Sequence, residues 1–357
     1  MPDGTTIAFL LQDGLTSGVV YALVALAMIL IFSVTRVLFI AQGEFVAFGA
    51  LTMASLEQRQ IPGTVYILLI FGACCAASDC WAILRPGARI AAQPASCTRH
   101  LARIAFRDLV IPGMIAALVV LLAPLHLGQL VNAVLAVALV TPLGAMTYRL
   151  AFLKIADAGP LALLFVSVAV HFVLLGIGLS VFGAEGWRTQ PFLRSGITLG
   201  NFSIQGQVIV VWCASGLMLL SLWLFFSKAY LGRVLIATAR NRRAAKLMGV
   251  RPELAGKAAF GVAAAISALS GILIAPSITV YYDSGFLIVL KGLVAAVIGA
   301  MSSYPLAALG ALIVGVTDSS AAFFASTFKD TIVFLLLIPF LLWMSVRVGR
   351  VAEVDEE

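Results

Sequence analysis

The chain has 357 residues, 62% of them hydrophobic and 11% charged, with a formal net charge of +7. An ordinary soluble domain carries roughly 25% charged residues, so this composition cannot cover a water-facing surface, and a soluble fold is excluded. On a soluble protein the excess of cations would suggest nucleic acid. Here it falls in loops between apolar runs and is read as charge facing the cytoplasm, with no nucleic-acid partner.

The bilayer core is about 30 Å thick and takes roughly 20 apolar residues per helix. Apolar segments occupy 7–34, 43–57, 62–84, 109–125, 127–149, 161–182, 207–227, 255–280, 287–301, 306–325 and 331–346. They are too long for barrel strands and do not alternate apolar with polar. Lipid-embedded backbone is satisfied only in helices or closed barrels, so helices follow. The expected fold class is all-α, a polytopic transmembrane helical bundle of about 9–11 membrane segments. The whole chain, 1–357, is read as a single transmembrane domain. Segments 43–57 and 287–301 are short, and are expected to be tilted, broken or re-entrant.

The opening MPDGTTIAFL has no basic run and no small-residue cleavage site, so the first segment is read as a retained helix. It is followed by AQGEF, where Gln42, Gly43 and Glu44 stand at the head of a short apolar segment. A charge in such surroundings is costly and usually faces a cavity or a partner. Glu44 is therefore a translocation-pathway candidate, with Gln42 beside it and Gly43 permitting close backbone approach. The competing roles for Glu44 are a cap on the short helix or a pair with Arg36.

Between about 79 and 108 the text turns atypical, with Arg85, Arg89, Arg99, Arg103 and Arg107. Cys74, Cys75, Cys80 and Cys97 cluster in or near this connection. A metal site from Cys80, Cys97 and His100 matches no zinc spacing, so no metal is assigned. A divergent loop and a stretch rewritten by compensating reading-frame shifts are the remaining readings. Further on, Asn132 and His171 are lone polar residues within spans, read as interhelical hydrogen-bonding groups. The long connection AEGWRTQPFLRSGITLGNFSIQGQ alternates in ITLGNFSI, which suggests a small hairpin.

The next connection, KAYLGRVLIATARNRRAAKLMGVRPELAGK, is the most informative. Gly249 and then Pro252 are helix stop signals. Ala244, Leu247 and Met248 share a face at i, i+3, i+4 spacing. Arg240, Asn241, Arg242, Arg243, Ala245 and Lys246 complete a short basic amphipathic element near 233–254. Such an element can lie on membrane lipid headgroups or dock into a partner's groove. Beyond it, Lys291 precedes a glycine-rich run and is a further translocation-pathway candidate that faces a cavity, the alternatives being an outward snorkel or a structural pair. Gly292, Gly299, Gly310 and Gly315 are read as close-packing positions. Threading the segments alternately puts the basic groups at 85–107, Arg149 and Lys154, 228–257, and Arg347 and Arg350 on one side. That side is assigned to the cytoplasm, and the C-terminus with it.

The run ATARNRRAAKLMGV resembles the cytoplasmic coupling loop of ATP-binding cassette importer permeases. Three further blocks, in the same order, narrow the resemblance to the LivH-like branch of the branched-chain amino-acid permease family. They are GLTSGVVYALVALAMILIFSVTRVLFIAQGEFVAFGA, then AYLGR, and LKGLVAAVIGAMSSYPLAALGALIVGVTDS followed by FKDTIVFLLLIPFLL. The region from about 70 to 126 departs from the family pattern. The resemblance implies ABC importer permease architecture in a bacterial inner membrane, with the basic element receiving ATPase motion. It also implies two separate ATP-binding cassette ATPase subunits, a second permease subunit in a heterodimer or homodimer, and a periplasmic solute-binding protein. This chain has no Gly-x-x-x-x-Gly-Lys-Ser/Thr phosphate loop, so it is not expected to be an enzyme, and no cofactor is expected.

Three other classes compete with this reading. An ion-coupled secondary transporter relies on intramembrane acids, and the deep segments read as poor in them. An intramembrane enzyme needs converging nucleophiles or ligands, whereas His100, His126 and His171 are scattered. A related permease for urea, amides or another small solute is not separated by these blocks.

Overall fold

Each apolar segment named above contains helix in the computed structural model, which describes residues 4–84, 105–125, 128–199, 202–301 and 303–342. In chain order the helices are α1 (Gly4–Thr35), α2 (Gln42–Glu57), α3 (Thr64–Leu84), α4 (Ile111–Leu122), α5 (Gln129–Thr147), α6 (Pro160–Phe182) and α7 (Gly206–Lys228). They continue as α8 (Tyr230–Arg240), α9 (Arg242–Leu247), α10 (Pro252–Ile274), α11 (Ser284–Ile298), α12 (Tyr304–Phe324) and α13 (Lys329–Leu335). A π turn, Phe106–Val110, leads into α4, and another, Tyr148–Phe152, extends α5. The protein is an all-α polytopic membrane bundle. Among the described residues seven helices are long and apolar enough to cross a membrane: α1, α3, α5, α6, α7, α10 and α12. The helices α2 and α11 have 16 and 15 residues. At about 1.5 Å per residue these are shorter than the roughly 30 Å hydrocarbon core.

Proline stands at the start of α6, α10 and α12, where its missing N–H costs nothing. The helix α1 stops at Arg36, whose backbone turns left-handed (φ 60°). The chain then returns to α2 through a stretch whose Ile40 N–H donates to Ser167 Oγ on α6 at 2.9 Å. Phe39 on this stretch packs against Phe45, Phe152 and Phe260, the last with ring centroids 4.8 Å apart.

The helix α1 forms the centre of the bundle. It is buried from Val20 to Ile31 and packs against α7, α8, α10, α11 and α12. Lipid tails are as apolar as leucine, so helices in a membrane gain from close packing rather than from hydrophobic exclusion. Small residues make that approach possible. A methyl placed on Gly14 would stand 2.7 Å from Val316 Cα, and one on Gly18 2.9 Å from Ala311 O. Gly292, Gly299, Gly310 and Gly315 also lie at helix contacts, against Val24, Ala307, Ile298 and Gly14 respectively.

The connection between α6 and α7 contains the hairpin, β1 (Ile197–Leu199) paired antiparallel with β2 (Phe202–Ile204). Upstream of it, Trp187 exchanges backbone hydrogen bonds with Val280, and Arg188 Nε donates to Pro276 O at 3.0 Å. Glu57 accepts from the Gln190 N–H at 3.0 Å. The loop is thereby tied to the ends of α2 and α10.

The atypical connection is bracketed by ions. Arg149 on the extension of α5 joins Asp108 at 2.6 Å and also Asp79, and Arg107 reaches the same two acids at 2.8 and 2.9 Å. Cys97 and His100 lie outside the described residues, while Cys74, Cys75 and Cys80 are free thiols on α3.

Overpacking the α1–α12 seam should cost about 1–3 kcal/mol. Gly14→Val is expected to lower the melting temperature of the detergent-purified chain. Gly113→Ala, where a methyl meets nothing within 4 Å, should not. Equal melting temperatures would contradict the seam.

Candidate functional site

Gln42, Gly43 and Glu44 form the buried first turn of α2. Gln42 Nε2 donates to Val24 O at 3.1 Å, tying this turn to the middle of α1. Gly43 meets Gly285 in the first turn of α11, where a methyl on Gly43 would stand 2.6 Å from Gly285 O. Two short helices therefore meet at their N-termini. Glu44 is fully buried near this junction, with Oε1 2.9 Å from His171 Nδ1 on α6. The His171 ring stacks on Phe286 at 4.7 Å. The start of α2 has no side-chain cap, and the Arg36 cation lies 5.9 Å over the Phe32 ring. His171 thus approaches Glu44 from another helix, in keeping with an interhelical role.

Lys291 does not snorkel. Its side chain is buried, with Nζ 2.8 Å from Asp318 Oδ1 on α12 and 3.0 Å from Asp330 Oδ1 on α13. Tyr21 of α1 donates its hydroxyl to Asp318 Oδ2 at 2.8 Å, and Lys329 Nζ stands 3.6 Å from Asp318 Oδ1. Nearby, Ser319 Oγ donates to Asp13 Oδ2 at 3.1 Å. Among these acids only Asp318 is buried within a span; Asp13 is exposed and Asp330 stands in the first turn of α13, so the deep segments are indeed poor in acids. The signal for Asp318 was present in a single letter: an acid inside an apolar span is by itself a functional candidate.

All of these groups except Asp330 line a cavity of about 290 Å³. Its walls come from α1 (Asp13, Val20, Tyr21), α7 (Val211), α10 (Leu273, Ile274), α11 (Leu287, Ile288, Lys291), α12 (Asp318, Ser319) and α13 (Lys329). Lys291 lines it; Gln42, Gly43 and Glu44 belong to the separate α2–α6–α11 junction. The pathway candidates therefore fall into two groups.

The basic element is a separate short helix with both ends closed. Asn241 Oδ1 accepts from the Ala244 N–H at 3.0 Å, capping the start of α9. At the other end Gly249 adopts φ +83°. Its N–H donates to Lys246 O, and the Val250 N–H donates to Ala245 O. This is the paired hydrogen-bond pattern that ends a helix on a left-handed glycine. Ala245 faces inward, while Leu247 and Met248 are 88% and 84% exposed. These two apolar side chains therefore stand outside the core of the bundle. Arg240 closes α8, and Lys246 stands in the last turn of α9.

A bundle of spanning helices around a polar cavity, with a short capped helix projecting apolar knobs, defines a polytopic membrane permease. The family described as "Branched-chain amino acid transport system / permease component" matches residues 10–92 and 101–344, and the chain belongs to it. Over 160 residues the chain is 32% identical to the high-affinity branched-chain amino acid transport system permease protein LivH of Salmonella typhimurium. LivH of Escherichia coli K12 matches equally well, and BraD of Pseudomonas aeruginosa is 30% identical over 177 residues. These matches cover 44% of this chain and 52% of LivH, and 47% of this chain and 58% of BraD. The chain thus spans about half the length of the curated relatives it matches. No solved structure matches it.

Breaking a buried ion pair by removing one partner typically costs about 3–5 kcal/mol, whereas replacing both partners is far milder. Lys291→Met should therefore strongly destabilise the chain in detergent unfolding, and Lys291→Met combined with Asp318→Leu should recover most of the loss. A single variant as stable as the parent would show that the pair is not closed in the bundle.

Proposed function

We propose that this chain is the membrane-spanning permease subunit of an ATP-binding cassette importer for branched-chain or related amino acids. Family membership supports the class, and the capped helix α9 carries the reading. In this reading two ATPase subunits dock on Arg240–Gly249, and a soluble binding protein delivers solute at the opposite face. A sister permease completes the path, as a heterodimer, in a bacterial inner membrane with the C-terminus in the cytoplasm. ATP is hydrolysed on the separate ATPase chains. The single transmembrane domain runs over 1–357, with its coupling loop near 233–254 and the Cys/Arg-rich connection near 79–108 also on the cytoplasmic side.

A mechanical route from the loop inward is available. Leu235 on α8 packs with Leu30 and Val34 of α1 and with Ala255 and Ala259 of α10. Both of those helices line the polar cavity through Tyr21 and Leu273. A push on α9 would move α8 as a rigid body and, through Leu235, shift the cavity walls against each other. Lys291 then faces the pathway, and the Glu44–His171 junction fixes the heads of the two short helices beside it. The buried ions are the one observation favouring an ion-coupled transporter, and that alternative gives α9 no work.

Gly249 is the point to test. A β-branched residue at a left-handed position costs roughly 1–2 kcal/mol, which would unmake the end of α9. Gly249→Val is expected to cut ATP-driven uptake of leucine at least about tenfold while membrane insertion stays normal. Gly249→Asn, which tolerates this backbone, should keep most of it. Unchanged uptake in the valine variant would show that α9 does not receive the push.

A further inference from the structure

A second hollow lies at the end of the bundle that carries α9. It is a crevice of about 370 Å³ between α1, α7, α8, α10 and α12. Leu30 of α1 and Ile266 of α10, both buried, form its floor. Trp223 and Phe226 of α7 line it, and so do Tyr304 and Ala308 of α12. The Phe226 and Tyr304 rings stack with centroids 5.8 Å apart. Apart from the Trp223 indole nitrogen and the Tyr304 hydroxyl, the lining side chains are hydrocarbon. The volume falls within the range of small-molecule sites, roughly 300–1,000 Å³.

Ile236 of α8 also lines the crevice, and α8 brings charge to that edge. The helix has two faces: Gly232, Leu235 and Thr238 are buried, whereas Arg233, Ile236 and Arg240 are exposed. Residues three and four apart on a helix are neighbours, with Cβ atoms about 5–6 Å apart. Arg233 and Arg240 therefore flank Ile236, one turn to either side. Neither is in an ion pair among the described residues. Leu235 packs on Leu30 and Val34, in the last turns of α1, so α8 sits where the spans end. An amphipathic helix at that depth, with exposed Leu231 and Ile236 beside arginines, lies at the level of the lipid headgroups. Its arginine stems can rest on apolar surface while the heads reach the phosphates.

We propose that this crevice and its arginine edge form a binding site for one anionic phospholipid, with an acyl chain in the crevice and the phosphate beside Arg233 and Arg240. Hydrocarbon alone would accept any chain; the unpaired arginines select the headgroup. A zwitterionic phospholipid carries its own cation next to the phosphate and gains less from them. A spanning helix of another subunit, about 10–12 Å across with its side chains, would lie over the crevice rather than in it, and an apolar span brings no anion to the arginines. A lipid held here touches α1, α7, α8 and α12 at once and braces α8 against the ends of the spans. The site is independent of which solute the permease carries.

The test is native mass spectrometry of the full-length chain, delipidated in a nonionic detergent and titrated with dioleoyl phosphatidylglycerol or dioleoyl phosphatidylcholine. The first phosphatidylglycerol should bind at least about fivefold more tightly than the first phosphatidylcholine. Arg233→Gln should weaken phosphatidylglycerol about fivefold and leave phosphatidylcholine unchanged. Arg233→Lys should keep most of the preference, and Arg233→Gln combined with Arg240→Gln should abolish it. Ala308→Phe, which fills the crevice, should weaken both lipids at least about fivefold. Ile236→Asn, at an exposed position that tolerates the change, should do the same and carries this arm if the phenylalanine variant loses the parent's gel-filtration profile. Glycerophosphoglycerol, the headgroup without chains, should not compete. An unaltered preference in the double arginine variant, unchanged lipid binding in a folded crevice variant, or competition by the chainless headgroup would overturn the site. So would a lipid-free dimer that the crevice variants convert to monomer, since the crevice would then seat a second copy of the chain.

Discussion

Within a hydrocarbon slab no water is at hand to take up a stray charge, so ionised side chains along the spans need partners inside the bundle. Lys291 and Asp318 meet that requirement at 2.8 Å, on helices that are neighbours in the chain but separated by a turn. The rest of the cavity follows from their meeting. Tyr21 brings in α1 through its hydroxyl, and Asp330 and Lys329 bring in the head of α13. Apolar packing in lipid is nearly indifferent to which helix lies beside which. Directional ion pairs and hydrogen bonds are not, and here they fix which faces look inward.

Glycine supplies the second constraint. Gly14, Gly18 and Gly315 let α1 and α12 run close enough for the Tyr21 hydroxyl to reach Asp318. Gly43 and Gly285 allow the heads of α2 and α11 to touch, so two short helices end inside the bundle rather than crossing it. At the basic loop a third glycine acts differently. Gly249 is open to solvent space and matters for its left-handed backbone, which stops α9 and leaves Leu247 and Met248 bare.

Much of this was legible in the letters. Hydrophobic run length gave the helices, because the bilayer sets the length each needs. Stop signals at Gly249 and Pro252 placed the end of α9, since only a few residue types accept those backbones. The alternation in ITLGNFSI marked the hairpin. Pairings were another matter. On sequence Arg36, eight positions away, is a candidate partner for Glu44, whereas the group 2.9 Å from its carboxylate is His171, brought in by the packing of α6. For Lys291 the letters leave a cavity, an outward snorkel and a structural pair all open, because the sequence does not show that Asp318 and Asp330 converge on it. Periodicity tells which residues share a helix face; it does not tell which helix that face meets. Within the atypical connection, Arg107 and Asp108 read as part of a divergent loop, although with Asp79 and Arg149 they close a four-membered ion network.

The central claim is that this permease is moved by a separate nucleotide-driven motor through α9. Its most direct measurement is leucine uptake into vesicles holding the permease pair, with the binding protein, ATP and a sodium or proton gradient supplied in turn, and the ATPase subunits present or left out. Uptake that requires both ATP and the ATPases, and ignores the gradients, is the predicted result. Uptake that follows a gradient with the ATPases omitted would contradict it.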